Sequence, residues 1–577
     1  MDYFDRYQKW RRHKDMDPEL KKELKSIEGM DEKIKDRFEK ELSFGTGGIR
    51  GPMGAGPARI NIFMIRKATL GLAKYLHREK KSEKRLSVVI AYDTRKNSDR
   101  FAKEAAGVLA EEGIEVWLFP QPAPTPLLSF AVRTLRADAG VVITASHNPP
   151  ADNGYKVYNA DGGQITDHFA QEITKQIGEI EDELSIQAAD LAAAEGKGLL
   201  RWVDKSVEKE YIEKVCDLGF REQWLQTGLL PVSIVYTALH GTGARYMPRI
   251  FNRIGVKDLF LVSEQMIMDP ACPTVKYPNP EDWEVYAMAI ELGLDKKADL
   301  LLAMDLDADR LGVAVKDQSD QFVPLSGNQL GCLMLYYILS QHKKGRTLPS
   351  NGIMIQTVVT TEMGKKIAES FGVEVIETLT GFKYIGELIK SRVDHRLSTF
   401  LFGFEESYGF LAGDFVRDKD GFQGALIAAE MAAFYRTKNM SLIEALEELY
   451  QEYGYFREEL INIDLQSGEM DKVEKIMDHF RCSGPRKLVD SPVIKVIDYA
   501  SQKELNTRTK KSKSTNLPVS NSMKYISEDG SWFCVRPSGT EPKIKIYLGV
   551  KGDTKTLSEK KKEALKTEIK EEMANKF

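Results

Sequence analysis

The sequence predicts an α/β protein of several domains, and three observations carry that prediction. Short β-branched and aliphatic runs alternate with longer amphipathic patterns, the mark of βαβ units and a mainly parallel sheet. Three of the buried-looking runs, "AGVVI", "ADLLLAM" and "TFLFGF", each end in a polar loop. The 577 residues exceed what one hydrophobic core supports and argue for three to five domains.

Taken in order, the N-terminal "MDYFDRYQKWRRHKDMDPEL" is charged throughout and lacks the apolar core of a signal peptide. Residues 17–42 carry periodic apolar positions that predict one or two surface helices. The glycine-rich "SFGTGGIRGPMGAGPARIN" follows, then a strand in "LSVVIAYD", a helix in "SDRFAKEAAGVLAEEG" ended by Gly113, and a strand in "VWLF". Strand, turn and helix recur in "LPVSIVYTALHGTGARYMPRIFNRIG"; strand, loop and strand follow in "ADLLLAMDLDADRLGVAV". The theme repeats through "GIMIQTVVTTEMGKKIAESFGVEVIETLTG" and "TFLFGFEESYGF". Breaks near 184–206, 317–328 and 436–455 are candidate boundaries. Beyond about 455, "YFREELINIDL" and "KIKIYLGV" predict a smaller α+β domain, with 502–522 a solvated loop and "SEKKKEALKTEIKEEM" a solvated helix face.

The bulk composition narrows the function classes. The net charge of −4 argues against a dedicated nucleic-acid binder, though local basic loops still suit anionic small substrates. Five cysteines without a C-x-x-C pair indicate neither a zinc site nor a disulfide framework, and fit a reducing, cytoplasmic location. No apolar run approaches a membrane span.

Ligands of open α/β sheets bind beyond the carboxyl ends of strands, so the three polar loops are read as parts of a site. "DLDADR" sets Asp305, Asp307 and Asp309 at alternate positions. Such carboxylates repel unless a cation lies between them, and oxygen-only ligands suit Mg²⁺. An exposed acidic turn is the plain alternative; an EF-hand is excluded because Arg310, not glycine, holds the sixth position. Arg310 is a candidate for a phosphate oxygen. "RPSGTEPKIKIY" combines Arg536, Ser538, Gly539, Thr540, Lys543 and Lys545, the makings of a phosphate cradle. "FEESYG" sets Glu405 and Ser407 on the same side of an extended loop, suited to sugar hydroxyls.

Ser146 stands beside His147 in "TASHNPPADNGYKVY", yet no G-x-S-x-G elbow occurs in the chain, which argues against a serine hydrolase. Neighbours in an extended chain point to opposite faces, which argues against a Ser–His relay. Phosphoryl transfer through Ser146 fits a metal triad and a phosphate cradle better, since that chemistry rests on positioning and charge neutralisation. His240 in "ALHGTG" reads as structural.

Together with "GTGGIRG" upstream, "TASHNP", "DLDADR", "FEESYG" and "RPSGTEPK" resemble, in the same order, the motifs of the α-D-phosphohexomutases, the phosphoglucomutase/phosphomannomutase superfamily. The resemblance spans about residues 40 to 550. "NGYKVY", "VRDKDGFQGA" and the N-terminal extension look most like bacterial phosphoglucomutases related to animal phosphopentomutase and glucose-1,6-bisphosphate synthase. It implies four domains around a central cleft: three similar α/β domains with mixed sheets and a smaller C-terminal α+β domain. The expected boundaries are 1–205, 206–322, 323–445 and 446–577. It implies that Ser146 is carried as phosphoserine and passes its phosphoryl group to a sugar monophosphate. Mg²⁺ would be held by Ser146, Asp305, Asp307 and Asp309, with glucose 1,6-bisphosphate as activator. Arg50, His147 and Lys156 would stand near the transferred group. Gly381 and Lys383 in "TGFKY" match a loop that reads sugar orientation, with Lys383 a candidate acid/base. Glu405 and Ser407 would bind sugar hydroxyls, and Arg536, Ser538, Gly539, Thr540 and Lys545 the phosphate that is not reacting.

The implied activity is interconversion of glucose 1-phosphate and glucose 6-phosphate, by a monomer or weak homo-oligomer. Phosphopentomutase, phosphomannomutase and glucose-1,6-bisphosphate synthase activities stand as alternatives on the same scaffold. A non-catalytic sugar-phosphate binder is the alternative from another class, against which Ser146 and the triad are intact. In one departure, phosphomannomutase-like members commonly carry His after the "EES-G" loop. Here Tyr408 and Gly409 follow Ser407, which weighs against mannose and toward Lys383 as acid/base.

Overall fold

The structure, a computed structural model, describes residues 2–45, 47–79, 83–220, 229–464, 470–537 and 543–576. It divides into two compact units: Met1–Gly327 with Phe382–Gly403 and Ser407–Asn439, and Asn328–Gly381 with Phe404–Glu406 and Met440–Phe577.

In the first unit three short helices precede the first strand: Tyr3–Arg12, on which the sequence carried no expectation, and Pro18–Ser26 and Asp31–Phe38, the two helices within 17–42. The second is started by Asp17, whose carboxylate accepts from Glu19 and Leu20 N–H at 3.0 Å, with Pro18 pre-set for the first turn. These are not merely surface helices. Tyr7, Trp10, Leu24, Ile34 and Phe38 are buried in the core of the first sheet, and Trp10 Nε1 donates to Glu183 at 2.8 Å.

That sheet comprises β1 (Gly48–Pro52), β2 (Ser87–Tyr92), β3 (Glu115–Leu118), β4 (Ala139–Ile143), β5 (Asp152–Asn159) and β6 (Leu200–Trp202). The spatial order is β1-β5-β4-β2-β3-β6. β4, β2, β3 and β6 run parallel, while β5 is antiparallel to β4 and β1. The mixture has a simple cause. The "TASHNPPA" connection is too short to hold a crossover helix, so the chain must return antiparallel. Ser146 therefore lies near the tip of a hairpin. β6 also shows that the break at 184–206 includes a strand of this first sheet.

The second sheet repeats the device. β7 (Leu230–Thr237), β8 (Val256–Leu261), β9 (Leu300–Met304), β10 (Leu311–Lys316) and β11 (Phe322–Pro324) lie in the order β11-β10-β9-β7-β8. β8, β7 and β9 are parallel, and β10 turns back on β9 with Leu311 opposite Met304. The six residues "DLDADR" are the whole connection. The helix Gly421–Thr437, capped by Asp420 and buried along nearly its whole length, completes this unit.

In the second unit β12 (Gly352–Thr357) pairs in parallel with β13 (Glu374–Thr378). β14 (Thr399–Glu405) and β15 (Gly409–Leu411) flank a turn at 406–408; of this stretch only Phe404–Glu406 falls in the second unit, the rest in the first. The break at 436–455 is largely helix, Leu442–Tyr453, with a capping box between Ser441 and Glu444.

The C-terminal sheet is antiparallel, formed by β16 (Tyr455–Asp464), β17 (Lys487–Leu488), β18 (Ser491–Asp498), β19 (Lys503–Asn506), β20 (Ser512–Ser514), β21 (Met523–Ser527), β22 (Trp532–Pro537) and β23 (Lys543–Gly552). Its order is β16-β23-β22-β21-β18-β19-β20, with β17 on β18. Helices Met470–Ser483 and Lys555–Lys576 share its core, where Met477, Phe480, Phe533, Ile546 and Leu565 are buried. The expected loop at 502–522 contains two short, largely exposed strands, β19 and the edge strand β20. Among the described residues no helix is long and apolar enough to cross a membrane.

Candidate active site

The serine loop is built around one buried ion pair. Asp93, just past β2, accepts from Thr144 Oγ1 at 2.6 Å, Ser98 Oγ at 2.7 Å and the Arg95 N–H at 3.0 Å. The Arg95 guanidinium lies beside it and donates to four loop carbonyls: Ser146, Asn148 and Pro149 at 2.6 Å and Asp152 at 3.0 Å. Gly154 is required here by close approach, since a Cβ would lie 2.5 Å from the Thr144 carbonyl and 2.7 Å from that of Ile49. Held this way, Ser146 adopts the left-handed conformation, φ +54°, with its N–H on Thr144 Oγ1 at 2.8 Å.

That conformation overturns one expectation. Because Ser146 is not extended, its side chain and that of His147 do not diverge; Ser146 Oγ lies 3.2 Å from His147 Nδ1. Burial, then the charges of Arg310 and Arg50, push the His147 imidazole well below its usual range, so it is neutral.

Ser146 Oγ also donates to Asp305 Oδ2 at 2.6 Å, which joins the two hairpin tips. Asp305, Asp307 and Asp309 are all buried, with one oxygen from each within 4.8 Å of the others. Thr125 Oγ1 donates to Asp307 Oδ2 at 2.8 Å, and Lys156 Nζ lies 2.7 Å from Asp307 and 3.4 Å from Asp309. Lys419 Nζ is 3.3 Å from Asp309. Burial and repulsion from Asp307 and Asp309 raise Asp305 well above the carboxylate range. Asp309 is held below it, where Lys419, Lys156 and Arg310 outweigh burial. Asp307 Oδ1 and Asp309 Oδ1 are buried with no hydrogen-bond partner among the described residues. Hard oxygen donors without partners, converging beside a hydroxyl, fit Mg²⁺.

Other residues of the first unit have these partners. Arg50 on β1 sits opposite Gly154 and donates to Asn148 Oδ1 at 3.2 Å. Arg310 gives its backbone N–H to Asp305 at 3.0 Å, while its guanidinium pairs with Glu281. Lys383 is buried and its ammonium lies 2.6 Å from Asp167, which also takes the Tyr384 hydroxyl at 2.7 Å. Tyr158, two residues beyond Lys156, donates to Asp418 at 2.8 Å. Gly421 gives its N–H to the Ala308 carbonyl and has no room for a side chain, a Cβ falling 2.9 Å from that oxygen. Ser407 lies in the turn at 406–408, so the expected extended loop is a tight turn, with Tyr408 at φ +64°. His240 bonds the Ile267 carbonyl and Thr274, as a structural residue does.

In the second unit Gly381 donates its N–H to Glu405 at 2.8 Å, which fixes the carboxylate against the "TGFKY" turn. Arg536 and Lys545 are register partners on β22 and β23. Ser538, Gly539 and Thr540 lie outside the described residues.

Sequence reasoning missed Asp93, Arg95, Thr125, Asp167 and Lys419. The D-x-R of "AYDTRK" directly after a buried strand was a usable signal for the first two.

Residues 41–184, 209–318 and 326–453 match α/β/α domains I, II and III described for phosphoglucomutase/phosphomannomutase, and residues 460–571 match the C-terminal domain. The phosphoglucomutase of Staphylococcus aureus strain MSSA476 is 37% identical over 521 residues, covering 90% of this chain and 91% of its own. That of Staphylococcus haemolyticus strain JCSC1435 is 36% identical over 520 residues, covering 89% and 91%. The crystal structure of the phosphoglucomutase pp63/parafusin from Paramecium, in its open form, is similar with a TM-score of 0.66 at 18% identity, over 92% of this chain and 94% of that one. A phosphoglucomutase/phosphomannomutase family protein of Burkholderia thailandensis gives 0.64 at 17%, over 91% and 96%. At such identities the two structures speak to the fold.

Proposed function

Since the chain belongs to the phosphoglucomutase/phosphomannomutase family, we propose that it interconverts glucose 1-phosphate and glucose 6-phosphate, carrying the phosphoryl group on Ser146. The observation that carries the assignment is the Ser146 hydroxyl, 2.6 Å from a buried triad of carboxylates with unpartnered oxygens. A hydroxyl in that setting suits phosphoryl transfer, where positioning and charge neutralisation do most of the work.

Asp305, Asp307, Asp309 and an oxygen of phosphorylated Ser146 would hold Mg²⁺, which would supply the neutralising charge. In the first transfer the Ser146 Oγ–P bond breaks as the free sugar hydroxyl bonds to phosphorus. The hydroxyl proton passes to the Lys383–Asp167 pair. His147, whose Nδ1 lies 3.2 Å from Ser146 Oγ, is the group placed to exchange a proton with the serine oxygen, while Asp305 stays an ionised metal ligand. The hexose bisphosphate then reverses its orientation and returns its other phosphoryl group to Ser146. Arg50 and Lys156 add positive charge beside the reacting group, and Lys156 also neutralises Asp307. Glu405, fixed by Gly381, and Ser407 read the sugar hydroxyls. Arg536 and Lys545, with Ser538, Gly539 and Thr540, hold the phosphate that is not reacting. Glucose 1,6-bisphosphate activates by recharging Ser146.

The test is a coupled assay of glucose 1-phosphate to glucose 6-phosphate with Mg²⁺ and a trace of glucose 1,6-bisphosphate. Wild type turns over and Ser146→Ala falls to background. Intact mass shows one phosphoryl group on wild type after the bisphosphate and none on the variant. A wild type inert on glucose 1-phosphate but active on ribose 1-phosphate would replace the substrate and keep the phosphoserine.

A further inference from the structure

Lys524 lies on β21 in the second unit and is 2% exposed. Its ammonium donates to the Val358 carbonyl at 2.7 Å, stands 3.5 Å from Glu362 Oε1 and lies 4.4 Å from the Trp532 ring centroid. A buried ammonium is costly unless it is held on several sides, as here.

What it joins is informative. On one side, Lys524 pairs with Cys534 and Met523 with Val535 across β21 and β22, the strand that carries Arg536 near its end. On the other side, Val358 opens the loop after β12. The hydroxyls of Thr357, the last residue of β12, and of Thr360 in that loop each lie 3.4 Å from Glu406 Oε2, next to Glu405, which receives the Gly381 N–H at 2.8 Å. A continuous run of bonds therefore leads from the phosphate-gripping strand to the sugar-reading turn, and Lys524 is its central link. Hexopyranose and pentofuranose phosphates share one exocyclic carbon before the far phosphate but differ by one atom in the ring, which changes the span from ring hydroxyls to that phosphate, so a fixed spacing between the two grips discriminates between them.

We propose that Lys524 is a positioning residue that fixes the spacing between the turn at Glu405 and the strand at Arg536, and so selects sugar phosphates of hexose length. The inference rests on the phosphoserine mutase reading above and adds a determinant of its substrate. It is tested on the full-length enzyme by measuring kcat and KM for glucose 1-phosphate and ribose 1-phosphate in wild type, Lys524→Met and Lys524→Arg. Lys524→Met raises KM for glucose 1-phosphate about tenfold with kcat within about twofold, and the preference for glucose over ribose falls by a similar factor. Lys524→Arg, which still donates to a carbonyl, recovers most of the preference. Should Lys524→Met not fold, Glu362→Gln serves instead, with the same change in smaller measure. An unchanged preference, or a loss of kcat shared equally by both sugars, overturns the inference while leaving the mutase reading intact. A wild type inert on both sugars overturns the reading and the inference with it.

Discussion

Arg95 shows how much a single side chain does in this site. Four carbonyls of the serine loop converge on it, so the loop keeps one conformation without helix or sheet. Replacing it with Met leaves those oxygens and the Asp93 carboxylate buried without their cation. Removing one partner of a buried ion pair costs about 3–5 kcal/mol, so Arg95→Met lowers the urea midpoint sharply and reduces kcat. Asp167 is predicted to matter differently. Its carboxylate orients Lys383 and Tyr384 together, so Asp167→Asn lowers kcat by about ten- to a hundredfold, with a melting temperature close to wild type. Steady-state kinetics beside a thermal melt check both effects. At this scale the sequence displayed the groups that do chemistry, because Ser146 and the triad stand in compact polar loops. It hid their supports, because Lys383 and Asp167 are 216 positions apart and only the fold brings them together.

Among the elements, strand and helix patterns were legible, while sheet direction followed from loop length. The connections carrying Ser146 and the aspartates are too short for a crossover, and both return as hairpins in otherwise parallel sheets. The three N-terminal helices were harder to read, since their few apolar residues sit among charges and yet are buried. The C-terminal sheet offers a pH test. In the turn between β21 and β22, Asp529 is held down at about 2, against burial, by Lys561 and by Ser527 and Ser531, with Lys561 Nζ at 2.7 Å. A carboxyl depressed from 3.8 stabilises the fold above pH 4 and loses that contribution as pH falls toward 2. Asp529→Asn is therefore less stable at pH 7, by about 1 kcal/mol after screening, and its urea midpoint converges on wild type near pH 2.

Across the whole molecule, chemistry is distributed unevenly. The serine, the triad, Lys156 and Lys383 belong to the first unit, while Glu405, Arg536 and Lys545 belong to the second. Mg²⁺ should therefore stabilise by mass action through the first unit alone. Hydrogen exchange with and without Mg²⁺ should show slower exchange at 144–158 and 300–316, no change in β21 to β23, and no response at all in Asp309→Asn.

The burial of Ser146, at 2% exposure with its flanking carbonyls clasped, bears on how a new chain begins work. A protein kinase needs a pliable, extended segment to thread through its own cleft, and this loop offers none once folded. On the mutase reading proposed above, the first phosphoryl group comes from a donor small enough to diffuse in as the substrate does. On that reading, start-up then depends on the supply of sugar bisphosphate.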